Sequence, residues 1–177
     1  MMMEKITLDY QVTVGDFRRA MYYGTFIRHR KALRIAFAVL LVGIAYFVGG
    51  LLGLGEVNPW VLFLAAGYLI WALIFVGGIE RGVREYLKTE GCMVGKTFHI
   101  ELDDKTVRIE VPDKGFAFYS PLKQLTCVFE ISSLYMLYTS VQDVYLLPAR
   151  LLTPEQRKAL REVLRKRLGN NFSTRFK

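Results

Sequence analysis

The chain has 177 residues, of which 53% are hydrophobic, and its formal net charge is +8 at neutral pH. This length allows one modest domain beside a membrane segment. A basic chain can bind nucleic acid or an anionic membrane surface, or its charge can set membrane topology. Much of the charge here flanks two uncharged segments, and no basic surface with base-reading side chains is indicated. We therefore interpret the charge as topological and expect no nucleic-acid partner.

The N-terminal segment predicts a strand followed by a helix. Apolar and polar side chains alternate from Ile6 to Thr13, a period of two that is typical of a half-buried strand. Thr13 and Asp16 predict a capping box at the start of a helix. We assign residues 1–13 to the strand and 14–34 to a juxtamembrane helix that continues into the first apolar segment. Its aromatic and basic side chains fit packing against a neighbour, and the alternative is a lipid-binding or partner-binding surface.

Two segments without charged residues follow, at 35–54 and 60–79. At about 1.5 Å rise per residue, each makes a helix of about 30 Å, which matches the hydrocarbon core of a bilayer. Asn58 and Pro59 in the short link predict a turn before the second helix. Neither segment has the polar face that a soluble core helix usually shows, so we prefer a transmembrane hairpin to a buried soluble one. Neither contains an ionisable group, which argues against a transporter or proton channel.

Basic residues lie on one side of the predicted hairpin, whereas its turn carries only Glu56. The residues that flank the first span are Arg28, Arg30, Lys31 and Arg34, and those after the second are Arg81, Arg84 and Lys88. The positive-inside rule then places both termini in the cytoplasm. No cleavable signal peptide is predicted, so the first span should act as the insertion signal. We expect a multi-pass protein of the cell membrane whose bases contact anionic headgroups.

The rest of the chain predicts a short juxtamembrane helix at 80–90, a small β domain at 91–169 and a frayed tail at 170–177. Six strand-like segments with turn residues between them, among them the strong turn signal at 112–115, indicate antiparallel pairing. They lie at about 98–102, 107–111, 116–120, 125–131, 134–139 and 144–147. We predict that the N-terminal strand joins their sheet, because the hairpin returns the chain to the side where it started. The two spans would then be an insertion within one domain.

A second capping box, formed by Thr153 and Gln156 with Pro154 between them, predicts a C-terminal helix with one apolar stripe. Arg157, Arg161 and Arg165 are spaced four apart and therefore lie on one face of that helix. We interpret this face as a surface for anionic lipid. The alternative is an ordinary solvated surface.

No catalytic, cofactor-binding or metal-binding residues are predicted. His29 and His99 stand alone in the sequence, and Cys92 and Cys127 are expected to be free thiols. Asp103 and the aspartate after it could bind a cation, but a hairpin turn explains them better. Nucleotide-binding and hydrolase motifs are absent from the sequence. We therefore expect a protein that is not an enzyme.

Several short segments carry a resemblance to the YcxB-like family. They are residues 119–125, the strand up to Glu130, residues 144–148 and the capped helix that begins at Thr153. The chain departs from the family pattern at Tyr119, where a tryptophan is common, and at Ala149 and Arg150, where a basic pair is frequent. The resemblance implies a bacterial inner-membrane protein in which two spans interrupt a pleckstrin-homology-like domain of seven strands closed by a helix. It implies no active site.

These observations predict an α+β membrane protein: a transmembrane hairpin inserted in a small antiparallel, pleckstrin-homology-like cytoplasmic domain with a C-terminal capping helix. The function we expect is a membrane-anchored, non-enzymatic binding or interaction module without a cofactor. Its candidate partners are the lipid bilayer, anionic headgroups, another membrane protein or copies of itself. The alternative is a small transport or channel subunit with the hairpin as its working part.

Overall fold

The computed structural model describes residues 5–28, 30–53, 59–140 and 143–174. The fold is α+β and divides into two compact units. The helical unit comprises Met21–Glu90. The β-rich unit is assembled from both ends of the chain, from the residues up to Ala20 and from those after Glu90. The helical segment is therefore an insertion within the β-rich unit, as the sequence predicted.

Three helices lie wholly or partly in the helical unit: α1 (Val14–Arg28), α2 (Arg30–Leu51) and α3 (Pro59–Leu87). α1 begins in the β-rich unit, and α2 and α3 contact each other. α2 ends at Leu51, before the end of the predicted span at 54, whereas α3 contains the second predicted span and continues through most of the predicted juxtamembrane helix, to Leu87. Both helices are long and apolar enough to cross a membrane. The predicted continuity from α1 into the first span depends on His29, and the predicted turn on residues 54–58. Both lie outside the described residues.

Aromatic side chains form a column along the helical unit. The ring centroids of Tyr68 and Trp71 are 5.7 Å apart, those of Trp71 and Phe75 are 5.4 Å apart, and Phe75 meets Phe26 edge-on at 6.2 Å. Such contacts tie the end of α1 to α3.

The first sheet of the β-rich unit contains β1 (Ile6–Gln11), β2 (Thr97–Leu102), β3 (Thr106–Val111) and β4 (Phe116–Pro121) in that order. All neighbours are antiparallel. β1 pairs with β2 along its whole length, from Ile6 opposite Leu102 to Gln11 opposite Thr97. The prediction that the N-terminal strand joins the distal sheet is therefore confirmed.

The second sheet has the order β7-β6-β5-β8. Its strands are β5 (Cys127–Ile131), β6 (Leu134–Tyr138), β7 (Val144–Pro148) and β8 (Phe172–Thr174). The six strands predicted after the hairpin are β2 to β7. β8 was not predicted: it lies in the segment assigned to a frayed tail, and it pairs with β5 in parallel. Three residues are too few for a period-two pattern to be read from the sequence.

Helix α4 (Pro154–Leu168) follows β7 and begins at the predicted capping box. The Thr153 hydroxyl accepts from the amide of Gln156, and the Gln156 side chain accepts from the amide of Thr153. Leu160, Leu164 and Leu168 of the predicted apolar stripe are buried. The stripe contacts β5, so α4 covers the second sheet.

The tight turns follow the predicted chemistry. Gly115, which ends the turn between β3 and β4, has φ 58°, a left-handed conformation that favours glycine. The Asp103 carboxylate accepts from the amides of Lys105 and Thr106 in the turn between β2 and β3. Asp103 is therefore a turn residue, as expected.

In strand β5 the inner face is the one that carries Val128 and Glu130. The pattern of apolar residues favoured the other face. In the predicted strand at 125–131, Cys127 and Phe129 alternate with Val128 and Glu130, and this alternation favours the uncharged face as the inner one. In the structure Val128 and Glu130 are completely buried, whereas Cys127 and Phe129 are half-buried. A charged side chain can occupy the inner face only if it has a partner there, and Glu130 has one.

Candidate functional site: two buried carboxylates and their arginines

Glu130 forms an ion pair inside the β-rich unit. Its carboxylate has no exposed surface and accepts two-pronged hydrogen bonds from Arg161 of α4 at 2.7 to 2.8 Å. Arg157, one turn earlier on α4, is 3.9 Å from the same carboxylate. Charge-assisted bonds of this fork geometry are the strongest hydrogen bonds a protein makes. They fix α4 against the middle of the second sheet.

Two hydroxyl groups complete the surroundings of Glu130. The Tyr135 hydroxyl donates to the carboxylate at 2.9 Å, and the Thr174 side chain of β8 bonds to it as well. Burial by itself would raise the pKa of Glu130, but the bonds from Arg161 and Tyr135 outweigh it, and the pKa is lowered. Burial and the bond to Glu130 raise the pKa of Tyr135 to about 12. The Glu130 carboxylate therefore remains an acceptor, and the Tyr135 hydroxyl a donor, throughout the physiological pH range.

Asp16 forms the second buried ion pair, at the start of α1. The Arg150 guanidinium donates to its two oxygens at 2.7 and 2.8 Å, and the Thr13 amide and hydroxyl donate to the same carboxylate. The predicted capping box is confirmed, and the structure adds Arg150 to it. Burial alone would raise the pKa of Asp16. The bonds from Arg150 and Thr13 have the larger effect, so the pKa of Asp16 is lowered.

A tyrosine hydrogen bond makes a second tie between the N-terminal segment and the region of β7. The buried Tyr10 of β1 donates its hydroxyl to the backbone oxygen of Leu146 in β7 at 2.9 Å. The N-terminal segment is thus tied twice to the region of β7, by Tyr10 to the strand itself and by Asp16 to the turn that follows it. Both ties join the N-terminal segment to elements more than a hundred residues away.

Carboxylates held in this way act as structural ties. All their oxygens accept strong bonds from fixed donors, so neither is poised to take a proton from a substrate near neutral pH. Among the residues that the structure describes, no group of three His, Cys, Asp or Glu side chains is placed to hold a metal ion. The geometry therefore indicates a rigid module whose helices are clamped to its sheets.

The outer face of the first sheet carries a third, exposed cluster. His99 Nδ1 is 2.6 Å from a carboxylate oxygen of Asp9, and Lys5 bonds to Glu101 at 2.9 Å. The hydrogen bond to Asp9 raises the pKa of His99. His99 is therefore not alone, although it stands alone in the sequence.

The basic residues singled out from the sequence fall into three groups. Arg30, Lys31, Arg34, Arg81 and Arg84 are exposed on the helical unit, and the Arg28 side chain lies outside the described residues. Arg165 is exposed on α4. Arg161 and Arg157 face Glu130 and are two-thirds buried or more. The interpretation of Arg161 as a lipid-facing charge must be corrected, because its guanidinium is bonded to a buried carboxylate.

The two ion pairs were not predicted, although the sequence contains a signal for one. Residues 157 and 161 lie three positions before the buried Leu160 and Leu164, and side chains three apart share a helix face. A basic residue on the apolar side of an amphipathic helix needs a buried acid. Glu130, within an apolar strand, was the available one.

Comparison of the chain with protein-family models, with curated proteins and with solved structures gives no match. The geometry of the chain therefore carries the functional argument.

Proposed function

We propose that the protein is a hairpin-anchored membrane protein whose β-rich unit is a cytoplasmic, non-enzymatic binding module. In this proposal α2 and α3 cross the membrane, both chain termini lie in the cytoplasm, and the module binds its partner at the inner surface. The exposed apolar surface of α2 and α3 is the observation that carries the proposal.

That surface is too large for a helix in water. α2 has no buried residue, and on α3 the side chains of Phe63, Leu64 and Leu73 are 70% exposed or more. A soluble core helix of the same composition would bury most of its residues. Contiguous apolar surface of this extent requires a cover, and two adjacent helices of bilayer length are covered by lipid.

The direction of insertion follows from charge. Arg30, Lys31 and Arg34 are exposed at the start of α2, and Arg81 and Arg84 are exposed near the end of α3. These two ends meet on one side of an antiparallel helix pair. The positive-inside rule favours the cytoplasm for that side, and bases there attract anionic headgroups, each contributing about 1 kcal/mol.

The β-rich unit supports the pleckstrin-homology-like part of the proposal by its strand order. The antiparallel strands β1 to β7 and the helix α4 agree in number with the seven strands and the closing helix that the YcxB-like resemblance implies. β8 is an addition to that set. We propose a relation to that family on this architecture and on the short segments it shares.

Cysteine labelling tests the topology. In a variant with Cys92→Ser and Cys127→Ser, a cysteine is introduced by Glu56→Cys or by Ser173→Cys. An impermeant maleimide should label the first in intact cells and the second only after permeabilisation. Ser173 is exposed on β8, so its protection in intact cells cannot arise from burial in the fold. Labelling of the Ser173→Cys variant in intact cells would overturn the proposed orientation.

Lipid binding is tested with the full chain in detergent. Native mass spectrometry should show anionic phospholipid on the protein, and the variant Arg30→Gln/Lys31→Gln/Arg34→Gln should retain less of it. The matched control is Lys105→Gln/Lys114→Gln/Lys123→Gln, which removes the same number of charges from exposed positions of the β-rich unit that are not among the candidate lipid-binding residues. Equal retention by all three proteins would remove anionic headgroups from the list of partners.

A further inference from the structure

Strand β8 is a short terminal segment that fills the edge of β5. Its three residues pair in parallel with Val128, Phe129 and Glu130, whereas every other strand pair among the described residues is antiparallel. Phe172 is buried beside the sheet, and Ser173 is exposed. α4 contacts both β5 and β8. β8 therefore occupies a groove between the edge of β5 and α4.

The groove holds β8 by few interactions. Those seen within residues 5–174 include a short ladder of backbone bonds, one aromatic side chain and the bond from Thr174 to the Glu130 carboxylate. If β8 leaves, Arg161 and Tyr135 still donate to Glu130, so no buried charge is left without a partner. The core of the second sheet, β7-β6-β5, does not depend on β8 for its pairing. Departure of β8 is thus a local event.

The vacated groove would be a specific binding site for an extended chain. The backbone groups of β5 would offer a strand edge, the space left by Phe172 would take an aromatic side chain, and Glu130 would accept from a hydroxyl two residues later. Strand addition of this kind draws its affinity from the backbone ladder and its selectivity from alternate side chains. The fitting ligand is an extended segment with the pattern aromatic-x-threonine.

The link between α4 and β8 is short and conformationally constrained. It consists of a single turn, Gly169–Asn171, and Gly169 has φ 54° and ψ −117°, a conformation that a side chain would disfavour. Short hinge loops of this kind favour exchange of a terminal element between copies, because exchange lets the hinge extend.

We propose that the groove between β5 and α4 is a contact site between two copies of this chain, in which the C-terminal strand of each copy completes the second sheet of the other. A second copy of the chain fits this groove, because it carries the same aromatic-x-threonine segment, Phe172–Thr174, that occupies the groove in the structure. Confinement of copies to one membrane raises their effective concentration, and in that respect the inference rests on the proposed function.

Disulfide trapping between differently tagged full-length chains tests the exchange. Both chains carry Cys92→Ser and Cys127→Ser. One also carries Phe129→Cys, and the other carries Ser173→Cys, two positions that are register partners across β5 and β8. Oxidation of membranes that contain both should give a disulfide that joins the two tags. A control pair, Asp113→Cys with Ser173→Cys, should give at least tenfold less, since Asp113 lies in the turn between β3 and β4.

Two further variants make the result decisive. A single chain with both Phe129→Cys and Ser173→Cys must form a disulfide, which shows that the groove is intact. A flexible insertion after Asn170 should lower the joint-tag product severalfold, because a longer hinge lets β8 close on its own chain. If the double variant forms its disulfide only within one chain and the mixed membranes give no more product than the control pair, exchange is refuted. Labelling of the Glu56→Cys variant is unaffected by that result, so the two proposals fail separately.

Discussion

Replacing Arg161 by methionine should destabilise the β-rich unit more than neutralising its partner through Glu130→Gln. The reason is that the two side chains differ in exposure. The Glu130 side chain is completely buried, whereas one third of the Arg161 side chain is accessible to solvent. Arg161→Met leaves the buried carboxylate with two hydroxyl donors and with Arg157 at 3.9 Å. Breaking a buried pair costs about 3–5 kcal/mol, and the remaining arginine favours the lower end of that range. Glu130→Gln leaves an arginine that can turn towards water, and its cost is about 1–3 kcal/mol.

The double variant Glu130→Gln/Arg161→Met distinguishes a coupled pair from two independent residues. With both charges removed, it should be more stable than Arg161→Met alone, although it carries one more substitution. Pulse proteolysis of the full chain in mild detergent across a urea series gives the unfolding midpoints. The control is Arg165→Met on the exposed side of α4, which should change stability by less than about 0.5 kcal/mol. Additive costs in the double variant would refute the reasoning.

The remaining predictions concern acid sensitivity, the Asp16 tie, His99 and a turn. The lowered pKa of Glu130 means that its stabilisation is present above about pH 4 and is lost as pH falls through the folded-state pKa, so Glu130→Gln should flatten the acid limb of a stability–pH curve. Asp16→Asn should cost about 1–2 kcal/mol in the same urea assay, because the amide keeps the cap but loses the charge pair. The pKa of His99 is raised, so the stabilisation from its pair with Asp9 is present at low pH and is lost as pH rises through that pKa. Removal of the Asp9 carboxylate should lower the pKa of His99, which is measured by ring-proton NMR. Gly115→Ala should cost about 1–2 kcal/mol, because the turn requires a positive φ.

Much of the architecture could be predicted because it depends on local patterns. The alternation from Ile6 to Thr13, the turn at Gly115 and the capping box at Thr153 are each set by side chains within a few residues of one another. The two apolar helices follow from runs of uncharged residues. Even the membership of β1 in the distal sheet could be inferred, since a hairpin insertion must return the chain to its starting side.

The ion pairs could not be predicted in the same way, because each joins distant segments. Asp16 and Arg150 are separated by 134 positions, and Glu130 and Arg161 by 31. No local pattern shows which acid meets which base, and the apolar alternation in β5 indicated the wrong face. Alternation normally assigns a charged residue to the outer face of a strand. Glu130 is on the inner face because its ion pair with Arg161 stabilises it there.

The insertion of two long helices into a small β unit is tolerated because it occurs where the chain already turns back. Gln11 at the end of β1 lies opposite Thr97 at the start of β2, and the amide of Gly95 donates to the oxygen of Val12 at 3.0 Å. The inserted segment therefore leaves and returns at adjacent points, as a hairpin loop does. Closure of a flexible loop costs more entropy only slowly as the loop lengthens, and a paired helical insertion has less freedom to lose than a flexible one. The Asp16 tie then fixes the first turn of α1 to the turn that follows β7.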